Sequence, residues 1–229
     1  MVFKRLINTG NIYFMRNYCT PKSGQRVPPP TPEIIETFSR NGDNGTSKTL
    51  TGEVLPKDHN IFHAIGSTEE LLSYVGIARE HAQECEHEYC DKLKRIQTVI
   101  IDISTAISRC GDKNKKPISS TYTKELEEWI HHYSKQLPPP ERYIIPGGGI
   151  AAASLHVARA ICRKTERTIV PLVRNGGLEQ EALIYLNRLS DFLFTISRIA
   201  AKVDKRTESI YIPKPDEKIQ AQVLYARGI

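Results

Sequence analysis

From Ser67 to Val203 the chain is written in blocks of apolar residues at helical spacing, several of them closed by Gly or Pro. Leu93, Ile96, Val99, Ile100, Ile103, Ala106 and Ile107 step by three and four, which lays one apolar stripe along a helix. Gly111, just past that run, marks its end. Upstream, Ser67 or Thr68 offers an N-cap with Glu69 and Glu70 in the first turn, predicting a helix from there to about Glu84. A third helix is expected from about Thr121 to Leu137, around Leu126, Trp129 and Tyr133, with Pro138, Pro139 and Pro140 ending it. Pro146 and Gly147, Gly148 and Gly149 precede a fourth from about Ile150 to Val170, and a fifth covers about Glu179 to Val203. Short connections and no convincing strand meander predict an all-α fold, a five-helix antiparallel bundle. No internal repeat interrupts it, and no run approaches the roughly 18 apolar residues of a membrane span.

Charge narrows the partner. The 229 residues carry a net +6, which taken whole suggests a polyanion such as nucleic acid. Five of those six charges sit in residues 1–32, where Lys4, Arg5, Arg16, Lys22 and Arg26 occur with no Asp or Glu before Glu33. With Val2, Phe3, Leu6, Ile7, Ile12, Tyr13 and Phe14 interspersed, this stretch has the character of an organelle transit peptide, the alternative being a basic tail with no address. Pro28, Pro29, Pro30 and Pro32 make a stiff spacer after it. The expected organisation is therefore a leader and spacer (1–32), a helical domain (33–203) and a polar tail (204–229). What remains outside the leader is nearly neutral, which disfavours nucleic acid.

Cysteine usage excludes a disulfide scaffold, because five thiols in this length are odd and sparse. His81, Cys85, His87 and Cys90 cluster, but their spacing fits no zinc finger or ribbon, and Glu84, Glu86 and Glu88 between them suggest the polar end of a helix and its turn. No protein metal ligand set is therefore assigned.

Three features carry chemistry. On the fourth helix His156, Arg159, Arg163, Glu166 and Arg167 fall on one stripe, and Arg159, Arg163, Lys164, Arg167 and Arg174 face a single acid, Glu166. Forked guanidinium donors on one patch suit a polyphosphate; a solvated face with pairs such as Arg163 with Glu166 is the other reading. On the fifth helix Asn187 and Asp191 share a face, able to hold ligand hydroxyls, a metal-bound water or an arginine. Residues 38–58 read as a long loop whose Ser39, Arg40, Asn41, Gly42, Asp43, Asn44 and Gly45 offer amides and cationic side chains for wrapping phosphates. Walker A, Rossmann, HExxH and GxSxG patterns are all missing.

Four stretches in order, FSRNGDNGTS at Phe38, HAIGSTEELLSYVG at His63, YIIPGGGIAAASLHVARAICRKTER at Tyr143 and YLNRLSDFLF at Tyr185, resemble the ATP:cob(I)alamin adenosyltransferases of the propanediol-utilisation and mitochondrial type. The resemblance runs from about Phe38 to Ala201. It implies a five-helix bundle assembling as a homotrimer, with ATP and the corrinoid bound where subunits meet, in the mitochondrial matrix. It places Ser39, Arg40, Asn41, Gly42, Ser47, Lys48 and Lys57 on ATP, together with Arg163, Lys164, Thr165, Glu166, Arg167 and Asn187. It pairs Glu69 with Arg159 across the interface and puts Tyr143 in the cobalamin pocket, with Asp191 in support. The usual Tyr-Thr-Lys at the loop's start is here Phe38, Ser39 and Arg40. Glu69 replaces an Asp, and Tyr143 a Phe.

The implied reaction transfers the 5′-deoxyadenosyl group of ATP to cob(I)alamin and releases triphosphate. The corrinoid is itself the nucleophile, which explains why no activated serine or base is visible. Arg163, Glu166 and Arg167 are the expected catalytic set, with Lys57 and Mg2+ helping to hold the departing triphosphate. A non-catalytic carrier of nucleotide or adenosylcobalamin to an adenosylcobalamin-dependent client enzyme would keep the same pocket.

Overall fold

In the computed structural model, residues 40–139 and 143–211 are described. The leader and spacer, together with Phe38 and Ser39 of the first motif, lie outside them. The elements in chain order are β1 (Thr46–Lys48), β2 (Val54–Pro56), α1 (Asn60–Glu84), α2 (Cys90–Ser108), α3 (Thr121–Ser134), β3 (Ile144–Ile145), α4 (Ile150–Arg174), α5 (Gln180–Val203) and β4 (Ser209–Ile210). No helix among the described residues is long and apolar enough to cross a membrane.

Five helices form around one core. α4 packs on both α1 and α5, α1 also on α2, and α5 also on α3. Long side chains close the remaining seam: Arg95 of α2 bonds Glu125 of α3, and Lys92 lies over the Trp129 and Tyr133 rings. Direction follows from the partners. Ser67 meets Thr165 while Glu70 meets Lys164, so α1 and α4 run antiparallel. Glu127 meets Arg188 and Gln136 meets Lys202, so α3 and α5 run parallel. The antiparallel expectation is corrected at that one contact. Helices that alternate in direction along the chain cannot close an odd ring without leaving one parallel pair of neighbours.

Local rules misplace some boundaries. α1 begins at Asn60, two turns before the expected cap, with His59 as N-cap accepting from the Ile61 amide at 3.3 Å. Ser67 and Thr68 are instead buried in mid-helix; Thr68 Oγ1 donates back to Ile65 O at 2.7 Å. Such a back-bond lets a hydroxyl sit inside a helix, so a good cap residue is no proof of a start. α3 ends at Ser134, before Leu137. α4 continues through Pro171 to Arg174, since buried Leu172 offsets the one amide bond that proline forfeits.

The expected loop at 38–58 contains a hairpin. Thr46 pairs with Pro56, Ser47 with Leu55 and Lys48 with Val54. Strands of three residues are too short for alternation to show in sequence. Leu50 N donates to Ser108 Oγ at 3.1 Å, fastening the hairpin tip to the end of α2. At the opposite end of the bundle β3 pairs with β4.

The Pro-Gly-Gly-Gly segment is steric in origin. At Gly148 φ is +89°, and a β-carbon there would come within 2.8 Å of the Ala201 β-carbon on α5. Gly148→Ala is therefore expected to lower the unfolding free energy by about 1–3 kcal/mol, read from the urea midpoint at unchanged slope.

Candidate functional site

Thr165 fixes how α4 is rotated. Its hydroxyl is fully buried and shares its one proton between Ser67 O at 2.9 Å and Ile161 O at 3.0 Å, with Ser67 Oγ 2.9 Å away. At 100° per residue, Arg163 and Arg167 then stand on either side of the direction opposite Thr165. Both are exposed, and neither has an ion-pair partner among the described residues. Two uncompensated guanidinium groups, one turn apart, are what the sequence stripe becomes in three dimensions.

The flanks of the stripe are tied to the neighbouring helices. Towards α1, Lys164 Nζ donates to Glu70 Oε2 at 2.6 Å. Towards α5, Asn187 Nδ2 donates to Glu166 Oε1 at 2.9 Å. Asp191 is occupied by Arg188 of its own helix at 2.9 Å, the arginine-holding alternative for that residue. Beside the stripe a groove of about 570 Å³ runs between α1 and α4, lined by Asn60, His63, Gly66, Glu70, Lys164 and Arg167 among others. That volume lies within the range of small-molecule sites.

Sequence reasoning missed Asn60, His63, Gly66 and Glu70. His63, Ser67 and Glu70 recur at four and three residues, a usable signal once the helix is begun at Asn60 and not at Ser67. The loop side of the site is compact. Arg40 holds φ +56°, Asp43 N donates to Arg40 O at 3.1 Å, and Lys57 N donates to Gly45 O at 2.8 Å. The Lys57 ammonium lies over Gly42, where any β-carbon would meet it at 2.8 Å. Ser47 and Lys48 stand on β1 of the hairpin.

The structure does not gather every expected residue. No ion pair joins Glu69 and Arg159 within the described residues of one chain; the Arg159 guanidinium stacks over Phe194 at 5.1 Å. Tyr143 is 62 % exposed and precedes α4 at the end remote from the loop. Of the His/Cys cluster, Cys85 and His87 approach Asp204 with ligand atoms inside 4.8 Å of one another. Both His87 ring nitrogens are already engaged, Nδ1 by the Tyr89 hydroxyl and Nε2 by Asp204 Oδ1 at 2.8 Å. The group thereby ties the α1–α2 turn to the end of α5.

With the geometry in hand, comparison with known proteins is decisive. The family profile described as "Cobalamin adenosyltransferase" matches residues 37–200. The chain belongs to the cobalamin adenosyltransferase family. It is 40% identical over 200 residues to the human corrinoid adenosyltransferase MMAB, covering 85% of this chain and 80% of the human one. A Citrobacter freundii corrinoid adenosyltransferase is 32% identical over 169 residues, 72% of this chain and 95% of that one. Among solved structures, a variant PduO-type ATP:corrinoid adenosyltransferase from Lactobacillus reuteri complexed with cobalamin and ATP superposes with a TM-score of 0.72 at 31% identity, over 77% of this chain and 99% of that one. The enzyme is thus an ATP:corrinoid adenosyltransferase that forms adenosylcobalamin, which sets the non-catalytic carrier aside.

His156 belongs to the stripe but is buried, edge-on to Phe194 at 6.2 Å. Burial first and the Arg159 charge second hold its imidazole below the usual 6.5, against a smaller opposing pull from Glu208. The folded ring stays neutral where an unfolded one charges, so stability is lost as pH falls through the unfolded value and levels off below the folded one. Between about pH 7.5 and about pH 5.5, urea unfolding should show a larger loss for wild type than for His156→Gln; equal losses would contradict this.

Proposed function

We propose that the exposed Arg163 and Arg167 hold the triphosphate of ATP, with Lys164, Thr165, Glu166 and Asn187 completing the nucleotide site on the helices. The observation that carries this is the pair of exposed guanidinium groups without ion-pair partners among the described residues, of which Arg167 lines the groove. Thr165 acts through the α4 rotation it sets, since its hydroxyl is taken up internally. Ser39, Arg40, Asn41, Gly42, Ser47, Lys48 and Lys57 close the loop over the phosphates, and Asp191 supports Asn187 from the next turn of α5.

The site is built between subunits. Tyr143 lies just before the start of α4, while the loop leads into α1 beside the end of α4; the 25 residues between span about 37 Å at 1.5 Å per residue. A site using both the loop and Tyr143 must draw them from different copies. A homotrimer in which Glu69 of one copy meets Arg159 of the next provides this.

In the reaction the electron pair of cobalt(I) in the corrinoid substrate attacks C5′ of ATP and becomes the cobalt–carbon bond, while the C5′–oxygen bond breaks and triphosphate leaves with the electron pair of that broken bond. The protein contributes placement and charge. It holds C5′ in line with cobalt, and Arg163, Arg167 and Lys57 neutralise the leaving triphosphate. Mg2+ would be held near the phosphates by Glu166, the one carboxylate in the stripe, with water completing its shell. It would supply further charge neutralisation. Tyr143 meets the corrinoid and displaces cobalt's lower ligand, which makes the reduction of cobalt(II) to cobalt(I) by an external one-electron reductant feasible. The leader addresses the enzyme to the mitochondrial matrix, where an adenosylcobalamin-dependent client takes the product; its composition and the mammalian relatives support this.

Reduced cobalamin, ATP and Mg2+ mixed with the full chain should give the adenosylcobalamin spectrum. Arg163→Ala and Glu166→Lys should abolish it with helical circular dichroism unchanged, and Arg163→Ala should weaken ATP binding by about 2–5 kcal/mol. Wild-type ATP affinity in Arg163→Ala would remove the stripe from the site. Arg159→Ala should lower the assembly mass or the turnover; an unchanged trimer with unchanged kinetics would remove the Glu69 pair.

A further inference from the structure

After α5 the chain is fastened three times before the described residues end. Asp204 accepts from His87, as above. Glu208 then meets Arg198, whose side chain is only 6% exposed: Nε donates to Oε1 at 3.0 Å and Nη2 to Oε2 at 3.3 Å. Finally Ile144 pairs with Ile210 and Ile145 with Ser209, and Tyr211 N donates to Tyr143 O at 2.8 Å. The Tyr211 ring stands edge-on to Tyr143 at 6.1 Å and 87°.

Arg198 holds both approaches to that strand pair. Its third donor, Nη1, reaches Pro138 O at 3.1 Å in the connection that leads to Tyr143, while its other two hold Glu208 in the segment that leads to Tyr211. A buried arginine with all its bonds directed at two converging segments costs desolvation unless both stay in place. The fork geometry also fixes the carboxylate's orientation, which a lysine would not. The Tyr143 ring remains exposed, and the strand that follows it is only two residues long.

We propose that Arg198 and Glu208 are positioning residues for the corrinoid-facing Tyr143, acting through β4 and Tyr211. The proposal rests on the reading that Tyr143 meets the corrinoid. It assigns the residues just past the fifth helix a share in the adenosyltransfer reaction, on the corrinoid side and not on the ATP side. A pair that merely stabilised the fold would affect both substrates alike.

The test is steady-state kinetics on the full chain with ATP and cob(I)alamin varied separately, alongside the absorption change that marks loss of cobalt's lower ligand in cob(II)alamin with ATP present. For Glu208→Gln the KM for the corrinoid should rise about ten- to a hundred-fold, with the KM for ATP unmoved and the ligand-loss signal falling in parallel. Glu208→Asp should recover part of both. Tyr211→Ala, at an exposed position whose backbone bond to Tyr143 O the substitution leaves in place, should reproduce the corrinoid effect and covers the case in which Glu208→Gln misfolds. Unchanged corrinoid KM and ligand-loss signal in Tyr211→Ala and any folded Glu208 variant, or equal losses for both substrates, would overturn the proposal. Tyr143→Ala separates the two readings: if it leaves corrinoid KM and the ligand-loss signal at wild-type values, the Tyr143 reading itself fails.

Discussion

The buried contact between Ser67 and Thr165 is where α1 and α4 are locked together, and the placement of charge on α4 follows from it. A threonine hydroxyl with three partners in a dry seam cannot turn outward without leaving polar groups unsatisfied. The rotation of α4 is thereby set, and the arginines on either side of the opposite face have nowhere to go but solvent or a ligand. Lys164 and Glu166, a quarter turn to each side, are drawn into Glu70 and Asn187. The result is a short cationic ridge between an ion-paired lysine and an amide-bonded carboxylate, a shape that favours a compact polyanion over an extended one.

The two ends of the bundle present different surfaces. The end carrying the hairpin, the start of α1 and the turn between α4 and α5 supplies backbone amides and lysines suited to phosphates. The end carrying β3, β4 and the close of α5 displays Tyr143, Ile145, Ile150, Ile210 and Tyr211, all exposed in a single chain. Cationic and apolar surfaces a helix length apart are poorly suited to one small-molecule site within one subunit, but suit a site formed when copies associate.

Much of this was legible in the sequence. The helical period of Leu93 to Ile107 marks α2 because its stripe is buried along its whole length. Arg163 and Arg167 could be placed on one face by arithmetic alone. The start of α1 could not, since Ser67 and Thr68 carry cap chemistry that tertiary burial redirects. Nor could the β1–β2 hairpin or the β3–β4 pair, whose strands are too short for a period and whose partners, for β3 and β4, lie far apart in the chain. The orientation of Tyr143 is a long-range property of that kind, because it depends on Arg198 and Glu208 beyond the fourth helix. His87 illustrates the reverse case. Its cysteine neighbours suggest a metal, whereas in the fold its two ring nitrogens are satisfied by Tyr89 and Asp204.

The claim that the α4 ridge is a triphosphate site is tested most directly by titrating inorganic triphosphate into the full chain by calorimetry, with ATP as competitor, at two salt concentrations. Binding that ATP displaces, and that weakens as salt rises, is the expected result. Absence of binding, or binding that ATP leaves untouched, would contradict it.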